Sequence, residues 1–188
     1  PIMVENNLNA LPYKHPDLEE WRESLRHGIK RYHQETNLVL RGGLDDLWIN
    51  TDTNQLIVVD YKSTARAEPE YLKPDYYRYG LGSKYKKQQE VYQWLLRRNG
   101  FEVSTKFILL YVDGDRRAKS FFPEPSTELG RLDFRTSLMI IDGDDSWIEQ
   151  TLHDMKAVLN QDEIPEPNMN EPINKYFYQR MQILEGKA

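Results

Sequence analysis

The stretch GGLDDLWINTDTNQLIVVDYKST, residues 42–64, puts three charged residues, Asp45, Asp60 and Lys62, into a pattern that otherwise reads as two hydrophobic strands. A charge survives inside a fold only when paired, hydrogen-bonded or coordinated to a metal, so these three form either a local ion pair or a reactive site. Side chains alternate along a strand, which sends Asp60 and Lys62 out of one face about 6–7 Å apart and Tyr61 out of the other. Asp45 can meet Asp60 across a hairpin if TDTNQ sets the register. Two carboxylates and the Tyr61 carbonyl then make a hard oxygen set suited to Mg²⁺ or Mn²⁺. Such an ion would activate a water and neutralise a phosphate, while Lys62 orients the water or stabilises the transition state, which is the chemistry of phosphodiester hydrolysis. By itself, an Asp-X-Lys triplet more often marks a surface ion pair, so its surroundings must decide.

The elements that must position these residues are readable on either side. DLWIN and LIVVDY flank the turn-rich TDTNQ and predict a hairpin, with LIVV apolar on both faces as in a covered strand. Upstream, PIMVENNLNALPYKHP reads as an arm over 1–16 leading to a helix at DLEEWRESLRH. Asp17 is its candidate cap, and Leu18, Trp21 and Leu25 share one face. IKRYH and LVLRG around QETN suit a second hairpin, with a helix continuing to His33 as the competing reading. Residues 65–84 predict a long, mostly irregular connection, followed by a helix over YKKQQEVYQWLLRRNG with Gly100 at its C-terminal cap. The strands TKFILLYV and DFRTSLMIID come next, then an amphipathic helix over DSWIEQTLHDMKAVLNQ capped by Asp145 or Ser146. In MIIDGDDSW the preferred reading of Asp142, Asp144 and Asp145 is a turn and helix cap rather than a second metal cluster. This order predicts an α/β fold, a central mixed sheet flanked by helices.

The chain of 188 residues fits one domain, expected over 1–188 with a C-terminal arm at 165–188, and the lack of an initiator Met suggests a fragment. No leader or long apolar run is evident, which leads to the expectation of a soluble, cytoplasmic protein without a membrane partner. There is no Cys and there are only four His, so thiolate-ligated metals are excluded and any metal site must rely on carboxylates. The net charge is −5, yet residues 62–98 hold nine Lys/Arg against four Asp/Glu, a basic window of +5 directly after the charged strand.

Three ordered motifs resemble those of RecB-like nucleases of the PD-(D/E)XK superfamily: GGLD ending at Asp45, VVDYKST with Asp60 and Lys62, and QQEVY with Gln88 and Tyr92. They are similar to the family's Gly-X-hydrophobic-Asp, Asp-X-Lys and Gln-X-X-X-Tyr motifs in order, spacing and placement, over about residues 38–112. The resemblance implies a restriction-endonuclease-like core and a Mg²⁺- or Mn²⁺-dependent deoxyribonuclease in DNA repair, recombination or defence, in a larger complex if it follows its relatives. It also implies Asp45 and Asp60 as metal ligands, Lys62 as the catalytic lysine, and Gln88 and Tyr92 as active-site or substrate-positioning residues on the following helix. A plain core aromatic remains the alternative for Tyr92. RecB-like nucleases often add an upstream His ligand, for which His33 is the nearest candidate, although a structural His fits that position better. Some branches carry a four-cysteine iron–sulfur cluster. Without Cys that cluster cannot form here, and packing of the tail falls to Ile173, Tyr176, Phe177 and Tyr178.

Gly42 has its own physical reading, since a residue without Cβ permits a bend or close approach just before Asp45. Asp46 should face away from Asp45 and serve structure. The segment YLKPDYYRYGLGSKYKK mixes tyrosines with Lys and Arg, the ingredients of a single-strand nucleic-acid groove or lid, and Arg116, Arg117 and Lys119 could add phosphate contacts. The partner expected is DNA, single-stranded on this reading. The rival function is a non-catalytic nucleic-acid-binding module that retains the fold.

Overall fold

A computed structural model describes residues 2–65, 70–115 and 133–186; Arg116, Arg117 and Lys119 lie outside the described residues. Two compact units are present, residues 1–150 and 151–188.

In the first unit the expected hairpin forms from β4 (Asp46–Asn50) and β5 (Leu56–Thr64), antiparallel with Asp46 opposite Val59. Its turn is fixed by the Asn50 side chain, which accepts the amides of Asp52 and Thr53, and by Asn54 in the left-handed conformation at φ 57°. The first residues do not form a loose arm. After a short helix α1 (Ile2–Glu5), β1 (Ala10–Pro12) pairs with β4 as the sheet edge, where Pro12 costs no internal ladder bond. On the other side β5 pairs parallel with β6 (Lys106–Gly114), and β6 antiparallel with β7 (Phe134–Asp142), giving the mixed order β1-β4-β5-β6-β7.

A parallel pair needs a crossover, and the helix α3 (Gly80–Arg98) supplies it between β5 and β6. It begins five residues before the expected YKKQQ start, and Gly100 follows its end at φ 92° as expected for a C-terminal cap. The preceding connection holds two single-turn 3₁₀ segments, Glu70–Leu72 and Tyr76–Arg78. Strand alternation divides the core. Ile57 and Val59 pack with Ala10, Trp48 and Ile108 on one face, partly covered by Ile2, Met3 and Leu8, while Val58 and Asp60 point to the opposite face.

The helix expected over DLEEWRESLRH is shorter. It spans α2 (Leu18–Arg22) only, Asp17 makes no side-chain capping bond, and Leu25 is 91% exposed rather than on a buried face. The helix already ends at Glu23, which leaves helical geometry at ψ 72°. Gly28, at φ 86° with a hypothetical Cβ 2.5 Å from the Gly42 carbonyl oxygen, turns the chain into β2 (Ile29–His33). β2 pairs with β3 (Leu38–Gly42) as a separate hairpin through Asn37 at φ 56°, which rules against a helix continuing to His33. The helix α4 (Trp147–Leu159) appears where amphipathicity predicted it. The second unit ends in α5 (Pro172–Leu184), which has no buried residue, and Ile173, Tyr176, Phe177 and Tyr178 are all exposed. Among the described residues no helix is long and apolar enough to cross a membrane.

Candidate active site

Extending the β4–β5 register by one step brings Asp45 opposite Asp60, and the contacts agree with that placement. Asp45 is exposed just before β4, and its Oδ2 accepts the Tyr61 amide at 2.9 Å. Asp60 is 2% exposed. Burial pushes its carboxyl above the ordinary aspartate range; Lys62 opposes that shift, and the nearby negative charge of Asp45 adds to it. Lys62 pairs directly with Asp60.

The helix α3 closes the site from above. Gln88 Oε1 accepts from the Lys62 ammonium at 3.3 Å, and Gln88 Nε2 donates to the Tyr92 hydroxyl at 2.9 Å, one helical turn on. The Lys62 ammonium also lies 4.6 Å from the centre of the Tyr85 ring. Tyr92 is 6% exposed, and burial, followed by the Asp60 charge, pushes its hydroxyl up to about 12, so it serves as a neutral group. Gly42 makes this possible: a Cβ there would meet Tyr92 Cε1 at 2.5 Å. The glycine ahead of Asp45 thus makes room for the tyrosine of the helix.

Asp46 and Tyr61 turn away together, as strand alternation predicts. The Tyr61 hydroxyl donates to Asp46 Oδ2 at 2.7 Å, and burial and this bond push its pKa up to about 12. Asp46 also accepts from Arg22 at 2.8 Å and from its neighbour's amide at Leu47. Arg22 was not legible as important in the sequence, yet its Nε donates to the Asp45 carbonyl at 2.9 Å and so clamps the corner that presents Asp45. Gln89 was missed too. It is fully buried on α3 and lies close enough to Asp60 to favour its ionised form. The only sequence signal was its place beside Gln88.

His33 has both ring nitrogens engaged, Nδ1 with Thr36 Oγ1 at 2.8 Å and Nε2 with Glu149 at 2.9 Å, the arrangement of a structural histidine. Asp144 and Asp145 are likewise occupied locally: Asp144 accepts the Ser146 amide at 3.0 Å, and Asp145 pairs with Arg97. The Asp144 contact is an Asx turn just ahead of α4. The basic window is also partly neutralised, because Lys86 pairs with Glu90 and Arg98 with Glu149, alongside Arg97 with Asp145.

The donor set fits a hard divalent cation. Two neighbouring carboxylates, one of them buried and driven towards its neutral form, are held at a strand end beside a lysine, and a cation would relieve both repulsion and burial cost. A family profile for the PD-(D/E)XK nuclease superfamily matches residues 5–168, a span that includes the hairpin and α3. The chain belongs to this superfamily. No curated protein and no solved structure matches it. PD-(D/E)XK proteins are in general nucleases that use divalent metal ions, so membership suggests metal-dependent nuclease activity and a nucleic-acid substrate. The mixed sheet flanked by helices is the restriction-endonuclease-like core of the superfamily.

Proposed function

We propose that the protein is a RecB-like, Mg²⁺- or Mn²⁺-dependent deoxyribonuclease that hydrolyses phosphodiester bonds. The observation that carries this reading is the chain of contacts Asp60–Lys62–Gln88–Tyr92, which links the Asp-X-Lys strand to the Gln-X-X-X-Tyr helix at a single point. Asp45, Asp60 and the Tyr61 carbonyl would hold the metal, which when bound supplies a polarised water and charge neutralisation at the phosphate. Lys62, steadied by Gln88 and Tyr85, holds a positive charge where the attacking water and the scissile phosphate would meet. Tyr92 and Arg22 act through others, Tyr92 on Gln88 and Arg22 on the backbone of Asp45. His33 is left out of this ligand set because both its nitrogens are occupied. The three ordered motifs support the RecB-like branch and, with it, a role in DNA repair, recombination or defence.

The purified protein is expected to cut single- or double-stranded DNA when Mg²⁺ or Mn²⁺ is added, and Lys62→Ala to lose at least 100-fold in rate, on the order of one removed charge-stabilising group. Intact DNA with both metals, and no difference between parent and Lys62→Ala, would reject the reading. The alternative, a binding module without catalysis, draws support from one feature: Lys62 and Asp60 neutralise each other, and three cations of α3 are tied to carboxylates. Salt-dependent DNA binding without cleavage under any divalent ion is its signature.

A further inference from the structure

A cavity of about 120 Å³ opens beside Lys62, walled by Thr64, Tyr71, Tyr76, Tyr85 and Tyr111. Three features make it a built site rather than a surface dent. Its floor is a parallel ring stack, Tyr71 on Tyr111 with centroids 3.9 Å apart and planes at 6°, and both rings are 3% exposed. The Tyr111 hydroxyl is buried at the cavity beside the hydroxyls of Tyr77 and Tyr76, which hold it in place. Tyr71 is in turn fastened to Asp113, two residues along β6, through a 3.4 Å contact from its hydroxyl. Lys62 lines the cavity and pairs with Asp60 as well, so it joins the cavity to the carboxylate site.

We propose that this cavity receives a single unpaired nucleobase of the substrate strand, next to the phosphate to be cut. The inference rests on the nuclease reading and adds the substrate class to it. Aromatic walls suit the flat face of any base, and the Thr64 hydroxyl suits its polar edge. A base inside a duplex remains stacked between its neighbours and reaches such a pocket only by leaving the helix, so a single strand or an unpaired end is the substrate. The tyrosines at 71, 76 and 85 then have one shared task. They come from the connection and the first turns of α3, which the crossover lays over the end of β5.

The test uses oligonucleotides carrying the fluorescent base 2-aminopurine at one position at a time, bound by the Asp45→Asn chain in EDTA so that nothing is cut. Asp45 does not line the cavity. A fluorescence change confined to one position of a single strand is expected, and Tyr76→Leu and Tyr85→Leu should each abolish it and weaken binding on the order of ten-fold, the usual scale for one base–aromatic stack. An abasic site at that position should weaken binding to a similar degree. Tyr76 and Tyr85 are only half-buried, and unchanged melting temperatures of these variants separate a lost stack from a lost fold. A response equal at every position, one untouched by the tyrosine substitutions, or one matched by a fully paired duplex overturns the proposal. A protein that shows the position-specific response but cuts nothing with Mn²⁺ keeps the pocket and loses the nuclease reading; one that cuts with a uniform response does the reverse.

Discussion

Burial forces the Asp60 carboxyl towards its neutral form, and Lys62 works most strongly against it. Because this group titrates higher in the folded chain than in the unfolded one, folding takes up a proton between the two pKa values, and its contribution to stability falls as pH rises through the folded value. Near neutral pH the carboxylate therefore costs the fold stability. Asp60→Asn is expected to melt higher than the parent in EDTA at neutral pH, with the gain shrinking as pH falls towards 3.8, the ordinary aspartate value. Adding Mn²⁺ should reverse the order, because the parent gains a ligand that binds only the folded state and the variant does not. A variant that melts lower in EDTA, or responds equally to Mn²⁺, contradicts this. At this scale the sequence was most legible: strand alternation separated Asp60 and Lys62 from Tyr61, and Asp45 from Asp46. Arg22 and Gln89 were not, because each acts across 23 or more positions through a contact that no local period records.

At the scale of elements, the β4–β5 hairpin, the β2–β3 hairpin and α3 were readable because their turn residues and periodicity agree with their packing. The helix at 18–22 is shorter than its pattern suggests, since the Leu18, Trp21, Leu25 spacing carries no information about the departure from helical geometry at Glu23. The strand β1 was invisible because three residues have no period of their own; pairing with β4 creates it. Gly42 joins two elements, and its role gives a sharp expectation. Gly42→Ala should cost roughly 1–3 kcal/mol by overpacking against Tyr92, and cut activity, in melting and cleavage assays run together. Glu149 fastens the start of α4. Burial alone would raise its pKa, but bonds from Trp94, His33 and Arg98 pull it below the ordinary glutamate range. Its contribution is thus present at neutral pH and lost as pH falls through the folded value. Glu149→Gln should cost about 1 kcal/mol at neutral pH, discounted for its partial exposure, and progressively less in acid, read by melting across a pH series.

For the molecule as a whole, charge is distributed against a simple DNA-coating surface. The chain is −5 overall, and three of the nine cations between residues 62 and 98 are paired on α3. Affinity for single-stranded DNA should therefore fall only gently with salt, with a slope corresponding to no more than about six phosphate contacts. A steeper slope would mean that cations beyond this window carry the binding. The sequence conveyed the basic window but not its full neutralisation: Lys86 meets Glu90 within α3 at i,i+4, whereas Asp145 and Glu149 reach Arg97 and Arg98 only once α3 and the start of α4 are packed together.

The nuclease reading depends on Asp45 and Asp60 sharing one cation. Crystals of the protein soaked in Mn²⁺ and measured at a wavelength where manganese scatters anomalously test that directly. An anomalous peak between the two carboxylates, with the Lys62 ammonium moved off Asp60 and still held by Gln88, is the predicted result. Crystals that bind Mn²⁺ elsewhere, or that keep the Asp60–Lys62 pair closed with no peak beside it, would contradict the account.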